Sequence, residues 1–101
     1  MTDPRALAVR HDAEGHRFTW GSGTELAVCD YQLLTHDDGQ VMAIVHTGVP
    51  ASLQGRGLAA RLVQAAFDHA RAQGWRVRPV CSYVHTFLAR HPHQQDLLER
   101  P

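Results

Sequence analysis

His46-Thr47-Gly48-Val49-Pro50-Ala51-Ser52-Leu53-Gln54-Gly55-Arg56-Gly57-Leu58-Ala59-Ala60 is the stretch on which the reading of this chain turns, because a strand enters it and a helix leaves it. Upstream, Val41-Met42-Ala43-Ile44-Val45 is an unbroken apolar run suited to a strand buried on both faces. Downstream, Leu58, Ala59, Leu62, Val63, Ala66, Phe67 and Ala70 recur at i, i+1, i+4, i+5 and make one apolar stripe, which predicts a helix stopped at Gly74. The helix start offers only Gly55, Arg56 and Gly57 where Ser, Thr, Asp or Asn would ordinarily cap it. Its first amides are therefore left without side-chain acceptors at the positive end of the helix dipole, an arrangement that binds phosphate oxygens. Glycine lets a ligand approach the backbone, and Arg56 adds a fork of donors. No Asp or Glu occurs between Asp38 and Asp68, whereas Arg56 and Arg61 do, so a polyanion would meet attraction alone. A Gly-x-Gly at such a junction also serves as an ordinary tight turn. The missing cap and the missing acids favour the anion cradle.

A chain of 101 residues has length for one domain, expected to span 1–101, with a single core. Formal net charge is zero, with ten basic and ten acidic residues. That balance argues against general nucleic-acid binding and against attraction to a membrane surface. All ten basic residues are arginine, which excludes lysine Schiff-base chemistry. No apolar run approaches the roughly 18–20 residues that span a bilayer, and no signal core follows the first residues, so a cytoplasmic location is expected. Cys29 and Cys81 are the only cysteines and in that compartment are expected to be reduced.

Working outward, the first five residues read as frayed. Ala6 to Asp12 and Arg17 to Trp20 read as a hairpin about Ala13-Glu14-Gly15-His16, and Gly21-Ser22-Gly23 reads as a second turn. Glu25 to Leu34 follows as a strand with an irregularity near Asp30, then Asp37-Asp38-Gly39 as a turn. Beyond the helix, Trp75 to Cys81 alternates like a strand, with Pro79 acceptable near an edge or end. The intervening helix makes it parallel to the strand at 41–49. Ser82 reads as the cap of a last helix carrying Tyr83, Val84, Phe87 and Leu88 and ending before Pro92. The order β-β-β-β-α-β-α is that of an α/β (α+β) fold, a mixed five-stranded sheet with a central parallel pair.

Ligands of such sheets gather at the C-terminal ends of parallel strands, where Cys81 and His46 fall. Cys81 stands at a helix mouth that favours a thiolate, although cysteine is often just a small buried hydrophobe. Tyr83 offers a phenol to a leaving group, or packs among its apolar neighbours. His46 could take a proton from an attacking amine, or be a hydrogen-bonded structural histidine. Eight histidines invite a zinc reading, but neither Cys81/His85 nor His91/His93 matches a recurring metal set, and no metal is expected. Ser22, Ser52 and Ser82 lack a nucleophile-elbow motif.

Gln54-Gly55-Arg56-Gly57-Leu58-Ala59 resembles the Gln/Arg-x-x-Gly-x-Gly/Ala signature of the GNAT superfamily of acyl-CoA-dependent N-acetyltransferases. His46-Thr47-x-Val49-Pro50, Leu62-Val63, Gly74, Val77-x-Pro79-x-Cys81-x-Tyr83-Val84 and His91-Pro92 extend the likeness to a subgroup of very small GNAT-like proteins. The resemblance implies coenzyme A or acetyl-CoA as cofactor. Its pyrophosphate would lie on the amides of Gln54, Gly55, Arg56, Gly57, Leu58, Ala59 and Ala60, and its pantetheine arm along Thr47, Gly48 and Val49. It implies a thioester near Cys81 and Tyr83, with Cys81 the suspected reactive residue of the subgroup. Larger members wall the amine-acceptor site with two helices between the first two strands, whereas only Ala13-Glu14-Gly15-His16 stands here. The acceptor pocket is thus open, completed by a protein partner, or absent. No carboxylate base is visible near His46, so that role falls to His46 or to water. The expected activity is acetyl transfer to a small-molecule or peptide amine, with Cys81 as candidate carrier. The rivals are a non-catalytic acyl-CoA-binding or sensing module and a plain phosphate or nucleotide binder.

Overall fold

The computed structural model describes residues 8–100, so the first five residues, expected to be frayed, and the first part of the predicted Ala6–Asp12 strand lie outside the described residues. Five strands, β1 (Arg10–Asp12), β2 (Arg17–Ser22), β3 (Glu25–His36), β4 (Gly39–Gly48) and β5 (Arg76–Pro79), form one sheet in sequential order. The first four are antiparallel neighbours and β5 lies parallel to β4. Helix α1 (Leu58–Gln73) makes the crossover, and α2 (Ser82–Arg90) follows β5. The fold is thus the mixed α/β sheet expected, with one change of place. The parallel pair lies at the margin rather than the centre, and β5 is the edge strand, where Pro79 removes no interior ladder bond.

Turn chemistry sets the hairpins. Asp37-Asp38 is a two-residue turn between β3 and β4 as expected, but Gly21 and Ser22 are strand residues and the β2–β3 turn is Gly23-Thr24. The irregularity near Asp30 is a β-bulge. Asp30 pairs with His46 but Tyr31 with Ile44, so Val45 of β4 is the extra residue. A bulge changes the parity of side chains along a strand. Ile44 and Thr47, three apart, therefore lie opposite Tyr31 and Cys29, two apart on β3.

On one face of the sheet, Phe18, Ala27, Cys29, Tyr31, Met42, Ile44 and Val77 pack against Leu62, Val63, Ala66, Phe67 and Ala70 of α1. Val84, Phe87 and Leu88 of α2 join the same cluster, and the rings of Phe67 and Phe87 meet at 5.3 Å between centroids. Gly74 caps α1 in the left-handed conformation. The cap of α2 is Cys81, not Ser82, and it makes no side-chain capping bond. A 3-10 turn over Pro92–Leu97 returns the tail to the β5 edge, where the Glu99 amide donates to the Val77 carbonyl at 3.0 Å. Arg78 pairs with Glu99, and Arg71 with Asp96 at 2.9 Å. Gln94, foreseen only as part of a sparse tail, is buried and exchanges amide hydrogen bonds with Gln64.

Candidate functional site

The parallel pairing of β4 with β5 ends at Ile44–Pro79, yet β4 continues to Gly48 with only β3 beside it. The chain after β5 turns away because the Ile44 carbonyl accepts both the Val80 and Cys81 amides, at 3.1 and 2.9 Å. Residues 45–48 thus present one main-chain edge without a strand partner among the described residues, a template for an extended molecule to pair with. Cys81 is tied to the place where the strands part. Its amide is fixed to β4, and its thiol lies 3.7 Å from the Thr47 hydroxyl.

Beyond β4 the chain makes a 3-10 turn at Ala51–Leu53, which no periodicity announces, and enters α1. Leu53 anchors this loop in the core, and the Gln54 side chain braces it by donating to the Val49 carbonyl at 3.2 Å. Gly57 is the cap of α1, at φ 70 and ψ 21, and no side chain caps the helix. Arg61 N–H to the Gly57 carbonyl, at 3.2 Å, begins the helical ladder, so the amides of Leu58, Ala59 and Ala60 precede it. A Cβ built on Gly55 or Gly57 would meet nothing within 4 Å. The glycines therefore serve backbone conformation and open approach rather than close packing. A cleft of about 230 Å³ lies over this turn, floored by Leu53, Gly57, Leu58 and Ala60 and closed on one side by Tyr83 from α2.

The structure therefore brings Gln54, Gly55, Gly57, Leu58, Ala59 and Ala60 together with Tyr83 and Val49 in one cleft, and Thr47 with Cys81 beside it. Arg56 is exposed at the rim of the loop. His46 stands apart from Thr47, since consecutive strand residues face opposite sides. It is exposed, with its imidazole folded over Gly48, where a Cβ would come within 2.9 Å of its Nε2. The expectation of no carboxylate near His46 is corrected. Asp30 is its cross-strand partner, a neighbour that appears only once β3 and β4 are paired. Asp30 is already engaged by Arg17 through two bonds of 2.8 and 3.3 Å, and His46 shares with it the face of the sheet opposite Thr47. Cys29 lies on the core face of β3, opposite Thr47. It is fully buried, and burial pushes its thiol up to about 12. Among the described residues no three His, Cys, Asp or Glu side chains converge as a metal site.

The fold is that of an α/β protein in which an uncapped helix follows a strand that parts from its parallel neighbour at the sheet margin. A family model described as GCN5-related N-acetyl-transferase matches residues 17–97, and the chain belongs to that family. Protein NATD1 of Bos taurus is 30% identical over 94 residues, covering 90% of this chain and 80% of that protein. NATD1 of Gallus gallus is 28% identical over 94 residues, covering 90% and 82%. An NMR structure of a GCN5-like candidate N-acetyltransferase from Staphylococcus aureus superposes with a TM-score of 0.71 at 24% identity, over 95% of this chain and 91% of that one. That likeness carries the fold. No helix among the described residues is long and apolar enough to cross a membrane.

Proposed function

We propose that this chain is an acetyl-CoA-dependent N-acetyltransferase, acting as one domain in the cytoplasm on a small-molecule or peptide amine. The observation that carries this reading is the adjacency of two unsatisfied main-chain surfaces, the free edge of β4 at residues 45–48 and the uncapped start of α1 at Gly57. A diphosphate followed by an amide-bearing arm matches both, the first by anion binding at a helix terminus and the second by strand addition. The open space at Gly55 and Gly57 fits close approach of such a group. Bound there, acetyl-CoA supplies the activated acyl group as a thioester.

The chain's own residues would do the rest. The amides of Leu58, Ala59 and Ala60, with Arg56 at the rim, hold the phosphates, while Thr47, Gly48 and Val49 align the arm through their backbone. Cys81, at the parting of the strands and at the start of α2, would give its thiol proton to solvent water and attack the acyl carbon as the thiolate, the donor's C–S bond breaking as the acetyl group passes to its sulfur. Tyr83, at the wall of the cleft, donates a proton to the departing thiolate. Water, or His46 exposed on the other face, would take the proton from the incoming amine, whose nitrogen bonds the acetyl carbon as its bond to Cys81 sulfur breaks and the Cys81 thiolate is released. Incubation with acetyl-CoA followed by mass spectrometry should give one acetyl adduct that disappears in Cys81→Ser. Turnover without an adduct would leave direct transfer as the route.

A second reading has an observation in its favour. The β1–β2 connection is only the tight turn Ala13–His16, pinned by the Gly15 amide on Asp12 at 3.0 Å, so no wall from this segment shapes an acceptor pocket. A partner protein could complete that pocket, or the same cradle could serve as a non-catalytic acyl-CoA sensor. A sensor binds CoA but releases no free thiol above background when offered acetyl-CoA with a panel of amines and peptides.

A further inference from the structure

Resting on the reading of Cys81 as the reacting thiol, we propose that Thr47 is a positioning residue whose hydroxyl, backed by the buried thiol of Cys29, orients Cys81 Sγ and donates to it once it is deprotonated. Three placements support this. Thr47 Oγ1 lies 3.7 Å from Cys81 Sγ, within hydrogen-bond range for sulfur. Cys29 is the register partner of Thr47 on β3, so its buried thiol lies on the same face of the sheet beside that hydroxyl. The bulge at Val45 turns Thr47 to this face, because without the extra residue it would lie on the side of His46.

A hydroxyl has one proton to donate, and this decides the direction of the chain of bonds. While Cys81 is a thiol, its S–H donates to Thr47 Oγ1. When Cys81 loses that proton, the Thr47 O–H turns to the sulfur, and the Thr47 oxygen can then accept from Cys29. Cys29 is suited to that duty because burial, chiefly, keeps it a thiol across the working range of pH. The other titratable groups of this corner are Asp30 beside Cys29, His46 on the opposite face of β4, and Tyr83 and His85 on α2. All four are common to parent and variants in the test below.

The test is the pH dependence of Cys81 alkylation by iodoacetamide, followed by peptide mass spectrometry on the whole chain from about pH 6 to about pH 10, a range that spans an ordinary thiol. Thr47→Val and Thr47→Ala should raise the midpoint by about one pH unit, the effect of one net hydrogen bond, and Thr47→Ser should restore it. Cys29→Ala should move it the same way by less, and Cys29→Ser should not. Folding of each variant is checked by circular dichroism, and Thr47→Ala and Cys29→Ala carry the test if the valine variant misfolds. An unchanged midpoint in folded Thr47 variants, or a serine variant displaced as far as valine, overturns the proposal. The readout needs no acetyl-CoA. A midpoint shift without any acetyl adduct would therefore remove the covalent route and keep the relay, and an adduct without a shift would do the reverse.

Discussion

Replacing Gly57 with Asp tests the cradle at its most exposed point. The backbone there is left-handed, at φ 70, which costs an ordinary L-residue about 1–2 kcal/mol, and Asp less because its short side chain bonds locally. Nothing lies within 4 Å of the added Cβ, so no packing term joins that strain. A carboxylate at the cap position also satisfies helix amides and returns about 1 kcal/mol. The two effects nearly cancel, and the melting temperature should move by no more than about 4–8 °C per net kcal/mol. Binding is affected differently, since the new carboxylate occupies the amides and repels the phosphates. A charge about 4 Å away is worth about 1 kcal/mol in water and about 4 kcal/mol at an intermediate dielectric. Calorimetric titration with coenzyme A should therefore show Kd rising between about fivefold and about a thousandfold. The loss should shrink as salt is raised from about 0.15 M to about 1 M, where screening shortens to about 3 Å. Gly57→Ala, with strain but no charge, should fall between parent and Asp. Equal affinity for coenzyme A in parent and a folded Gly57→Asp at low salt would refute the assignment of this helix start as the anion site.

Two further outcomes follow from the core and from the histidines. Phe67 is fully buried with its ring tilted against that of Phe87, so Phe67→Ala should cost about 3–5 kcal/mol in urea unfolding, and a cost under about 1 kcal/mol would mean that the α1–α2 contact does not form. Burial and the nearby His69 hold His11 below its ordinary value of 6.5, with Asp12 opposing. The unfolded chain therefore binds that proton first, and the stability present above about pH 6.5 is lost as pH falls through the depressed folded value. Thermal melts taken from neutral to mildly acidic pH should show this decline, flattened in His11→Phe, which keeps a ring over Phe18. Parallel slopes for the two proteins would contradict it.

The sequence carried the fold where a local rule sufficed. The α1 stripe, Gly74 at its end, Asp37-Asp38 as a turn and the continuous apolar run of β4 each follow from periodicity or turn chemistry, and the structure has them where those rules put them. The absent cap at Gly57 was legible because capping depends on residues adjacent in the chain. Strand ends were less so, since Gly21 and Ser22 extend β2 only because Leu26 and Glu25 pair with them.

What the amino-acid order determined alone is therefore the succession of strands and helices and the lack of a side-chain cap at one helix start, both properties of near neighbours. Only tertiary pairing decided that β5 would be an edge, that Asp30 would stand opposite His46, and that Val45 would bulge and turn Thr47 toward Cys29 and Cys81. Register joins residues many positions apart, and a single inserted residue reverses which face each side chain takes. The chemistry proposed for Cys81 rests on that one residue of slack.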